Sequence, residues 1–394
     1  MKAIICGAGI AGLTLAWWLE RDGWDVVLVE REDGPRAGGY MIDFFGSGYD
    51  VAEMMGLLPE LKEAHTRVAE LSYVDQNERS EGEIAYSRVA SVFDGRILSF
   101  MRGDLERALL DAVKGRVLIR YGTSVEQVSD GIGVMVTLTD SGVERADLLV
   151  GADGVHSRIR ELVFGSQERF LRYLGYHAAS FVLRDDDLGR RVGDRFVMVG
   201  VPGRQAGLYP TNDGRLAASF IHASPDRALP EDPQQELRDV YGNLGGLVRR
   251  TLRQVPEDGE VYYDRVAQIE MDYWSRGPIV LIGDACHAVS LMAGQGASLA
   301  MGGAFVLAEE LRAGVGVGRA ISAYERRMRP FVQDRQRAGR NTARWFVPTQ
   351  HWRMTTRRIA LAAARLPGAT AVLRAAFSPL RDSVVVPPVE TRAA

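Results

Sequence analysis

The stretch KAIICGAGIAGLTLAWWLERDGWDVVLVER, residues 2–31, places a glycine-rich turn between two short apolar runs. KAIIC predicts a buried β-strand, GAGIAG a turn, LTLAWWLERDG a helix that ends at a glycine, and DVVLVER a second strand. A GxGxxG pattern indicates a dinucleotide site when it stands in this order of strand, turn, helix and strand. We therefore predict an α/β protein that begins with a Rossmann-like unit.

The three glycines of this turn have separate expected tasks. Gly7 permits the tight turn, Gly9 lets the backbone approach a pyrophosphate, and Gly12 lets the helix pack closely on the strand. Glu30 lies 18 positions after Gly12, where a carboxylate accepts hydrogen bonds from ribose hydroxyls. An acidic residue there disfavours a 2′-phosphate, so we do not expect NADP in this site. A glycine turn without a ligand is the alternative.

Two later segments repeat the pattern of a strand followed by glycine and aspartate. RADLLVGADGVHSRIR (145–160) carries Asp153, and GPIVLIGDACHAVSLMAGQGASLAM (277–301) carries Asp284 after Gly283. Ligands bind at the carboxyl ends of parallel strands. Two further strand-end aspartates imply a ligand longer than NAD, and FAD fits that need.

These three motifs resemble, in order and spacing, those of the class A flavoprotein aromatic monooxygenases, the group that includes para-hydroxybenzoate hydroxylase. GGYMIDFFGSGYDVAEMMGLL (38–58) is most similar to the tetracycline-inactivating branch and to enzymes of polycyclic natural products. The resemblance covers about residues 1–330. It implies a GR2-type, Rossmann-like FAD-binding domain with an inserted antiparallel β-sheet substrate domain and C-terminal helices. The implied boundaries are 1–167 with 269–330 for the FAD domain, which also contributes to the substrate cavity, 168–268 for the substrate domain, and 331–394 for the C-terminal helices and tail.

The resemblance also implies roles for individual residues around FAD. Glu30 would hold the adenosine ribose, Arg31 would lie near the adenosine and pyrophosphate, and Asp284 would bond the ribityl and pyrophosphate region. Arg102, which opens a predicted helix, would approach the cofactor; its alternative is a surface pair with Glu106 four residues on. The remaining cofactor candidates are the glycines already named, Gly283, and Asp153, which is partly structural in the family.

A second glycine loop precedes the last helix of the motif region. In the sequence AGQGASL, the backbone N–H groups of Gly294, Gln295, Gly296 and Ala297 would face the pyrimidine edge of the flavin, together with the positive helix terminus. Reduced flavin carries negative charge there, so such donors favour reduction. A helix cap without a ligand is the alternative.

The middle of the chain is β-prone, with turns of glycine, proline and asparagine. The alternation of small, aromatic and polar residues along these segments predicts an antiparallel sheet with one face toward a cavity. We take His177 and Arg195 as candidate polar contacts to substrate and Tyr209 and Phe220 as candidate aromatic walls. Met292, over the flavin, is a fifth substrate candidate. Each could instead be a packing or surface residue.

The function implied by the resemblance is oxygen transfer through FAD. NADPH or NADH would reduce the flavin as a transient co-substrate, O₂ would add at flavin C4a, and the hydroperoxide would transfer one oxygen atom to an aromatic or enolic carbon. We expect a polycyclic natural product as substrate and hydroxylation rather than Baeyer–Villiger insertion; the sequence identifies no catalytic base. The alternatives are a non-catalytic FAD- or substrate-binding protein, and a flavin-dependent halogenase, whose WxWxIP segment is missing here.

The composition of the chain limits the classes of binding partner that we expect. The chain has 394 residues, 46% of them apolar, and a formal net charge of −3, which gives no reason to expect nucleic acid. Cys6 and Cys286 show no metal-ligand or disulfide spacing, so we expect no metal and a reducing cytoplasm. Glycines interrupt the first apolar run, which argues against a secretory signal. We expect a monomer or homodimer, and an arginine-rich C-terminal helix that bridges the domains with its arginines in solvent rather than lying on a membrane.

Overall fold

The computed structural model describes residues 1–35, 39–131, 133–256, 261–363 and 382–385. The strands, in chain order, are β1 (Lys2–Cys6), β2 (Asp25–Val29), β3 (Met41–Phe45), β4 (Glu70–Val74), β5 (Ser80–Ala85), β6 (Ile97–Met101), β7 (Leu118–Arg120), β8 (Val125–Gly131), β9 (Gly133–Leu138), β10 (Val143–Ala146), β11 (Leu148–Gly151), β12 (Leu171–Leu183), β13 (Arg195–Val201), β14 (Arg204–Pro210), β15 (Leu216–Ala223), β16 (Tyr262–Ile269), β17 (Ser275–Arg276) and β18 (Ile279–Leu281). The helices are α1 (Ile10–Arg21), α2 (Ser47–Met54), α3 (Leu58–Glu63), α4 (Tyr86–Val92), α5 (Arg102–Val113), α6 (Arg158–Phe164), α7 (Asp186–Val192), α8 (Pro233–Tyr241), α9 (Gly246–Leu252), α10 (Asp284–His287), α11 (Gly296–Arg312), α12 (Val317–Phe346) and α13 (His351–Ala363).

A six-stranded sheet lies at the centre of the first half of the fold, in the order β17, β18, β11, β1, β2, β7. β1 pairs in parallel with β2 on one side and with β11 on the other, and β11 pairs in parallel with β18. Helices and a three-stranded sheet, in the order β10, β9, β8, pack on these strands, and Val134 and Val136 of β9 belong to the same core. Strands buried in this way have nearly continuous apolar sequences. Helices α1 and α11 pack against each other, with Trp18 and Phe305 in edge contact at 5.1 Å between ring centroids. The predicted α/β, Rossmann-like fold is confirmed.

The turn between β1 and α1 leaves no room for side chains at two of its glycines. Gly7 has a φ of +104°, and a Cβ there would lie 2.5 Å from the carbonyl oxygen of Ala152. A Cβ on Gly12 would lie 1.9 Å from the carbonyl oxygen of Gly7. Gly9 is different, because its nearest outside atom is a carboxylate oxygen of Glu106 at 3.8 Å. The space beside Gly9 is therefore open to a ligand.

A seven-stranded sheet forms the second half, in the order β16, β12, β15, β14, β13, β4, β5. Its pairs are antiparallel except for β13 and β4, which run parallel. The β-prone segments of the middle of the chain therefore do form one sheet. Two of its strands, however, come from residues 70–85, outside the range 168–268, because β4 pairs along the free edge of β13. The domain boundaries stay a prediction, and the sheet extends beyond them.

The C-terminal helices connect the two sheets. On α12, the side-chain nitrogen of Gln336 donates to the carbonyl oxygens of Ile269 at 2.7 Å and Ala288 at 3.1 Å. The prediction that the arginines of this region lie in solvent is wrong at two positions. Arg335 and Arg357 are buried, because Arg335 donates to the carbonyl oxygen of Asp382 and Arg357 to the carbonyl oxygen of Phe346 and the side chain of Gln205.

The helices of the described residues include none that is both long and apolar enough to cross a bilayer.

Candidate active site

The first cavity lies over the glycine turn, with a volume of about 360 Å³. Glu30 borders it from the end of β2, where its carboxylate accepts hydrogen bonds from the backbone N–H groups of Ala8 at 2.8 Å and Glu32 at 3.0 Å. These bonds fix the carboxylate beside the turn. Arg31 also borders the cavity, but its side chain is 71% exposed and pairs with Glu32 at 3.3 Å. An exposed pair of this kind contributes little to stability and leaves the guanidinium free to move toward a phosphate.

Arg102 lies at the junction of the first cavity with a second one. It is the first residue of α5, and its guanidinium contacts the carboxylate of Glu106 at 2.6 Å. The pairing expected from sequence alone as the alternative therefore forms, but it does not take Arg102 out of either cavity. Burial opposes the charge of Arg102, yet Glu106, Tyr40 and Asp284 raise its pKa above the ordinary value. The guanidinium is a fixed positive charge between the two cavities.

Asp153 follows β11 and has a structural task. One of its carboxylate oxygens accepts from the hydroxyl of Ser157 at 2.6 Å, and the other accepts from the backbone N–H of Ile159 at 3.0 Å. Burial raises the pKa of Asp153, while these hydrogen bonds lower it. The residue borders the first cavity and at the same time fixes the start of α6.

Asp284 begins the short helix α10 and borders the second cavity. Its side chain is accessible, but the surface that it exposes faces the cavity, so surrounding protein raises its pKa, and Arg102 lowers it. Gly283 precedes it with a φ of +61°, and a Cβ there would lie 2.9 Å from the Cβ of Ala11. Glycine therefore lets the β18 turn approach α1 at the place where the aspartate enters the cavity.

The second glycine loop borders the same cavity. Gly294 adopts the left-handed conformation with a φ of 64°, and α11 begins at Gly296 as expected. Gly294, Gly296 and Ala297 line the cavity, whereas Gln295 is buried beside it. The expectation that every N–H group from Gly294 to Ala297 faces the ligand is wrong for the first of them. The Gly294 N–H donates to the carbonyl oxygen of Leu291 at 3.1 Å, because residues 291–293 form a 3₁₀ turn.

The second cavity has a volume of about 350 Å³ and lies between the two sheets. Of the five substrate candidates, Tyr209, Phe220 and Met292 line it. Met292 is 7% exposed, and the hydroxyl of Tyr209 accepts a hydrogen bond from the backbone N–H of Met41 at 2.8 Å. Phe220 also stacks on Phe181 at 5.6 Å between ring centroids, so it packs as well as borders the cavity.

The two polar substrate candidates do not line either of these cavities. His177 contacts the hydroxyl of Tyr263 at 3.2 Å and packs edge-on to His222. Burial lowers the pKa of both histidines, that of His222 to about 4, so the pair is neutral at physiological pH. Arg195 donates to the carbonyl oxygen of Val192 at 3.2 Å and thereby closes the end of α7. Neither position is placed to bind a substrate in the second cavity.

Sequence reasoning missed several polar residues that do line the second cavity. They come from β3, β12, β15, β16 and the segment before β3, and they include Tyr40, Asp43, Ser180, Ser219, Tyr262, Asp264 and Arg265. Strand periodicity gives the alternation of their faces but does not say which face borders a cavity. Only Asp43 carried a local signal, a carboxylate between apolar residues in MIDFF.

The residues present fit FAD. The two cavities share Gly9, Arg102, Ala152 and Gly154, so they adjoin, one over the glycine turn and the other against the second sheet. Within the described residues, the Ser180 hydroxyl oxygen and the Arg265 Nε are buried without a hydrogen-bond partner, and both residues line the second cavity. Buried polar atoms are normally paired, so a polar ligand is expected there.

Comparison with known proteins agrees with this geometry. The family model described as FAD binding domain matches residues 1–338. An uncharacterised protein of Mycobacterium tuberculosis is 34% identical over 325 residues, which cover 79% of this chain and 84% of the relative. A flavin-dependent monooxygenase of Legionella longbeachae is 30% identical over 357 residues, which cover 86% of this chain and 88% of the relative.

Solved structures show the same similarity. Tetracycline destructase Tet(51) superimposes with a TM-score of 0.78 at 27% identity, covering 93% of this chain and 98% of the other. HpxO of Klebsiella pneumoniae, solved with FAD and uric acid, superimposes with a TM-score of 0.81 and 97% coverage of both chains; its 23% identity concerns the fold alone. The family model, the relatives and the cavity over the glycine turn lead to one assignment: the chain belongs to the FAD binding domain family and is a class A flavin-dependent aromatic monooxygenase.

Proposed function

We propose that the protein uses NADPH or NADH and O₂ to transfer one oxygen atom to an aromatic or enolic carbon of a polycyclic natural product, by hydroxylation. The observation that carries this proposal is the pair of adjoining cavities, one over the glycine turn and the other a largely apolar chamber between the two sheets. The first fits a dinucleotide and the second fits a flat, largely apolar ligand. The names of the similar proteins, which include a tetracycline destructase, support the substrate class.

The residues around these cavities would act by binding and orienting. Glu30 would hold the ribose of FAD, and Arg31 would approach its phosphates. The bound and reduced flavin would supply O₂ activation and oxygen transfer. Arg102 and the N-terminus of α11 would stabilise the negative charge that reduction places on the flavin, because both are positive and already in place.

The chamber itself would keep water from the reacting atoms. Tyr209, Phe220 and Met292 are at most 7% exposed and form its wall. Exclusion of water strengthens the electrostatic interactions inside the site and protects reactive species from hydrolysis.

The experiment is anaerobic stopped-flow reduction of the FAD-loaded protein by NADPH, with and without phenols, anthracyclines and tetracyclines. We expect at least one compound to accelerate bleaching of the visible flavin band. As matched variants, Tyr209→Phe lies in the chamber wall and should change this acceleration, whereas Tyr241→Phe lies outside both cavities and should not.

Each negative result has its own meaning. Failure to take up FAD would refute the cofactor assignment. FAD that binds but is reduced by neither NADPH nor NADH would refute the oxygenase proposal and favour a binding protein.

A further inference from the structure

Asp43 is an acidic side chain in the wall of the second cavity, outside the residues that the FAD motifs account for. It lies in β3, next to Met41 and Ile42, which line the same cavity. The side chain is accessible from the cavity. A carboxylate in a chamber bounded largely by apolar and aromatic groups is positioned to recognise a hydrogen-bond donor on a ligand.

A chain of hydroxyl groups fixes this carboxylate from behind. β3 and β6 pair in antiparallel register with Asp43 opposite Ser99. The Ser99 hydroxyl donates to Oδ1 of Asp43 at 2.6 Å, and the Tyr86 hydroxyl lies 2.6 Å from the same Ser99 oxygen. His65 Nδ1 lies 3.0 Å from both the backbone N and O of Ser99. One oxygen of Asp43 is thus held by protein, and its orientation is set.

The groups that face Asp43 are hydroxyls, phenols and one imidazole. They are Ser99 from β6, His65 from the segment before β4, Tyr86 from α4 and Tyr209 from β14. The surface that Asp43 exposes faces the cavity, so surrounding protein still raises its pKa, while the Ser99 hydrogen bond and His65 lower it. Burial also raises the pKa of both tyrosines, so they stay protonated.

The arginines that line the same cavity have other neighbours. Arg102 interacts with Glu106, Tyr40 and Asp284. The positive charge of Arg265 lowers the pKa of His156, His177 and Tyr173. Among the described residues, no arginine acts on the pKa of Asp43.

We propose that Asp43 is the proton acceptor for the hydroxyl group of a phenol or enol substrate, with Ser99 and Tyr86 as positioning residues. This rests on the proposed function, because oxygen transfer to a ring carbon is favoured when the adjacent hydroxyl loses its proton. The substrate O–H bond breaks, its electron pair remains on the substrate oxygen, and the proton goes to the carboxylate and later to water. The chamber thus selects polycyclic compounds that carry a free hydroxyl beside the carbon to be oxidised.

The test is equilibrium binding of alizarin, a hydroxylated anthraquinone, to the FAD-loaded protein, followed by the dye's visible absorption. Below the pKa of the dye, its neutral hydroxyl donates to a charged acceptor, a hydrogen bond stronger than one to a neutral acceptor. We expect Asp43→Asn to bind the neutral dye about tenfold more weakly than the wild type. Above the pKa of the dye this advantage should vanish, because the dye anion and the carboxylate repel each other.

Two further variants and one further ligand separate the proposal from a structural effect. Ser99→Ala removes a hydrogen bond that lowers the pKa of Asp43. As the solution is acidified, the Ser99→Ala variant should therefore lose its binding advantage over Asp43→Asn at a higher pH than the wild type does. Asp111→Asn, an exposed position on α5, should bind like the wild type. The dimethyl ether of alizarin, which has no hydroxyl to donate, should bind Asp43→Asn and wild type equally.

The outcomes are decisive because FAD uptake is measured first in the same sample. If the wild type loads FAD but binds alizarin no better than Asp43→Asn at any pH, the role of Asp43 is refuted while the oxygenase proposal stands. If the FAD-loaded wild type binds alizarin no better than its dimethyl ether, the proposed selection for a free hydroxyl group is refuted. If the ether shows the same loss as alizarin, the effect is one of shape and the proton-acceptor role is refuted.

Discussion

Gly12 lies where α1 passes closest to the turn that precedes it. A Cβ there would meet the carbonyl oxygen of Gly7 at 1.9 Å, a backbone atom that cannot rotate away. We expect Gly12→Ala to lower the free energy of unfolding by about 1 to 3 kcal/mol or more, because the helix must move away from the turn. The same displacement should weaken FAD binding. Chemical denaturation and fluorescence titration with FAD measure the two effects.

Gly318 is the matched control, a glycine near the start of α12 where an added Cβ would have no outside atom within 4 Å. Gly318→Ala should leave FAD binding unchanged and stabilise the protein by up to about 1 kcal/mol, since alanine loses less backbone entropy in a helix. If Gly12→Ala proved as stable as Gly318→Ala and bound FAD equally well, the close approach of α1 to the turn at Gly12 would not control either property.

The residues that sequence patterns located are those at strand ends. Gly7, Glu30 and Asp284 lie together because the carboxyl ends of parallel strands share one edge of the sheet. Asp43 and Ser180 could not be located in this way. Their positions depend on which face of a strand meets the other sheet, and a single sequence contains no distance information across that gap.

At the scale of elements, Gln336 joins α12 to the segments that flank the second glycine loop. Its side chain is buried and donates to the carbonyl oxygen of Ile269 at 2.7 Å and to that of Ala288 at 3.1 Å. Gln336→Leu should cost about 1 to 3 kcal/mol of unfolding free energy, because the Ile269 carbonyl loses this donor in a buried place. Denaturant unfolding monitored by circular dichroism measures the loss.

Gln333, one turn earlier on the same helix, is exposed and provides the control. Gln333→Leu should change stability by no more than about 0.5 kcal/mol. If Gln336→Leu changed the free energy of unfolding as little as Gln333→Leu does, the contacts of Gln336 would not hold α12 in place.

Most helices and strands could be predicted from the sequence, since α1, β2, β12 and α11 all follow their apolar periodicity. The burial of two arginines in α12 and α13 was not, because basic side chains on a helix normally face water. The loop before α11 was also unexpected. Ser290 has a φ of +91°, a conformation that costs free energy for a residue with a Cβ.

At the scale of the whole molecule, FAD should stabilise the fold. The glycine turn, Arg102 and Asp284 come from distant parts of the chain and meet only in the folded state. A ligand that binds only the folded protein adds about 2.7 kcal/mol at 100 times its dissociation constant. We expect FAD to raise the Tm by several degrees in a thermal-shift assay.

Two variants test whether the rise in Tm depends on the first cavity. Glu30→Ala should reduce it, because the carboxylate borders the first cavity, whereas Arg195→Ala should preserve it, because Arg195 borders neither cavity. A shift that both variants lack, or that neither loses, would refute the placement of the adenosine end of FAD at Glu30.

The parallel pairing of β4 with β13 has a consequence for how the chain acquires its shape during synthesis. The register joins Glu70 to Arg195, so β4 and β5 leave the ribosome long before β13, the partner of β4, exists. The central sheet likewise waits for β18, which pairs with β11 only after the whole second sheet has been made. Such long-range closures slow folding and leave unpaired strand edges exposed meanwhile. The two halves of this protein are therefore architectural layers rather than successive folding units, and neither is complete until nearly three quarters of the chain has been translated.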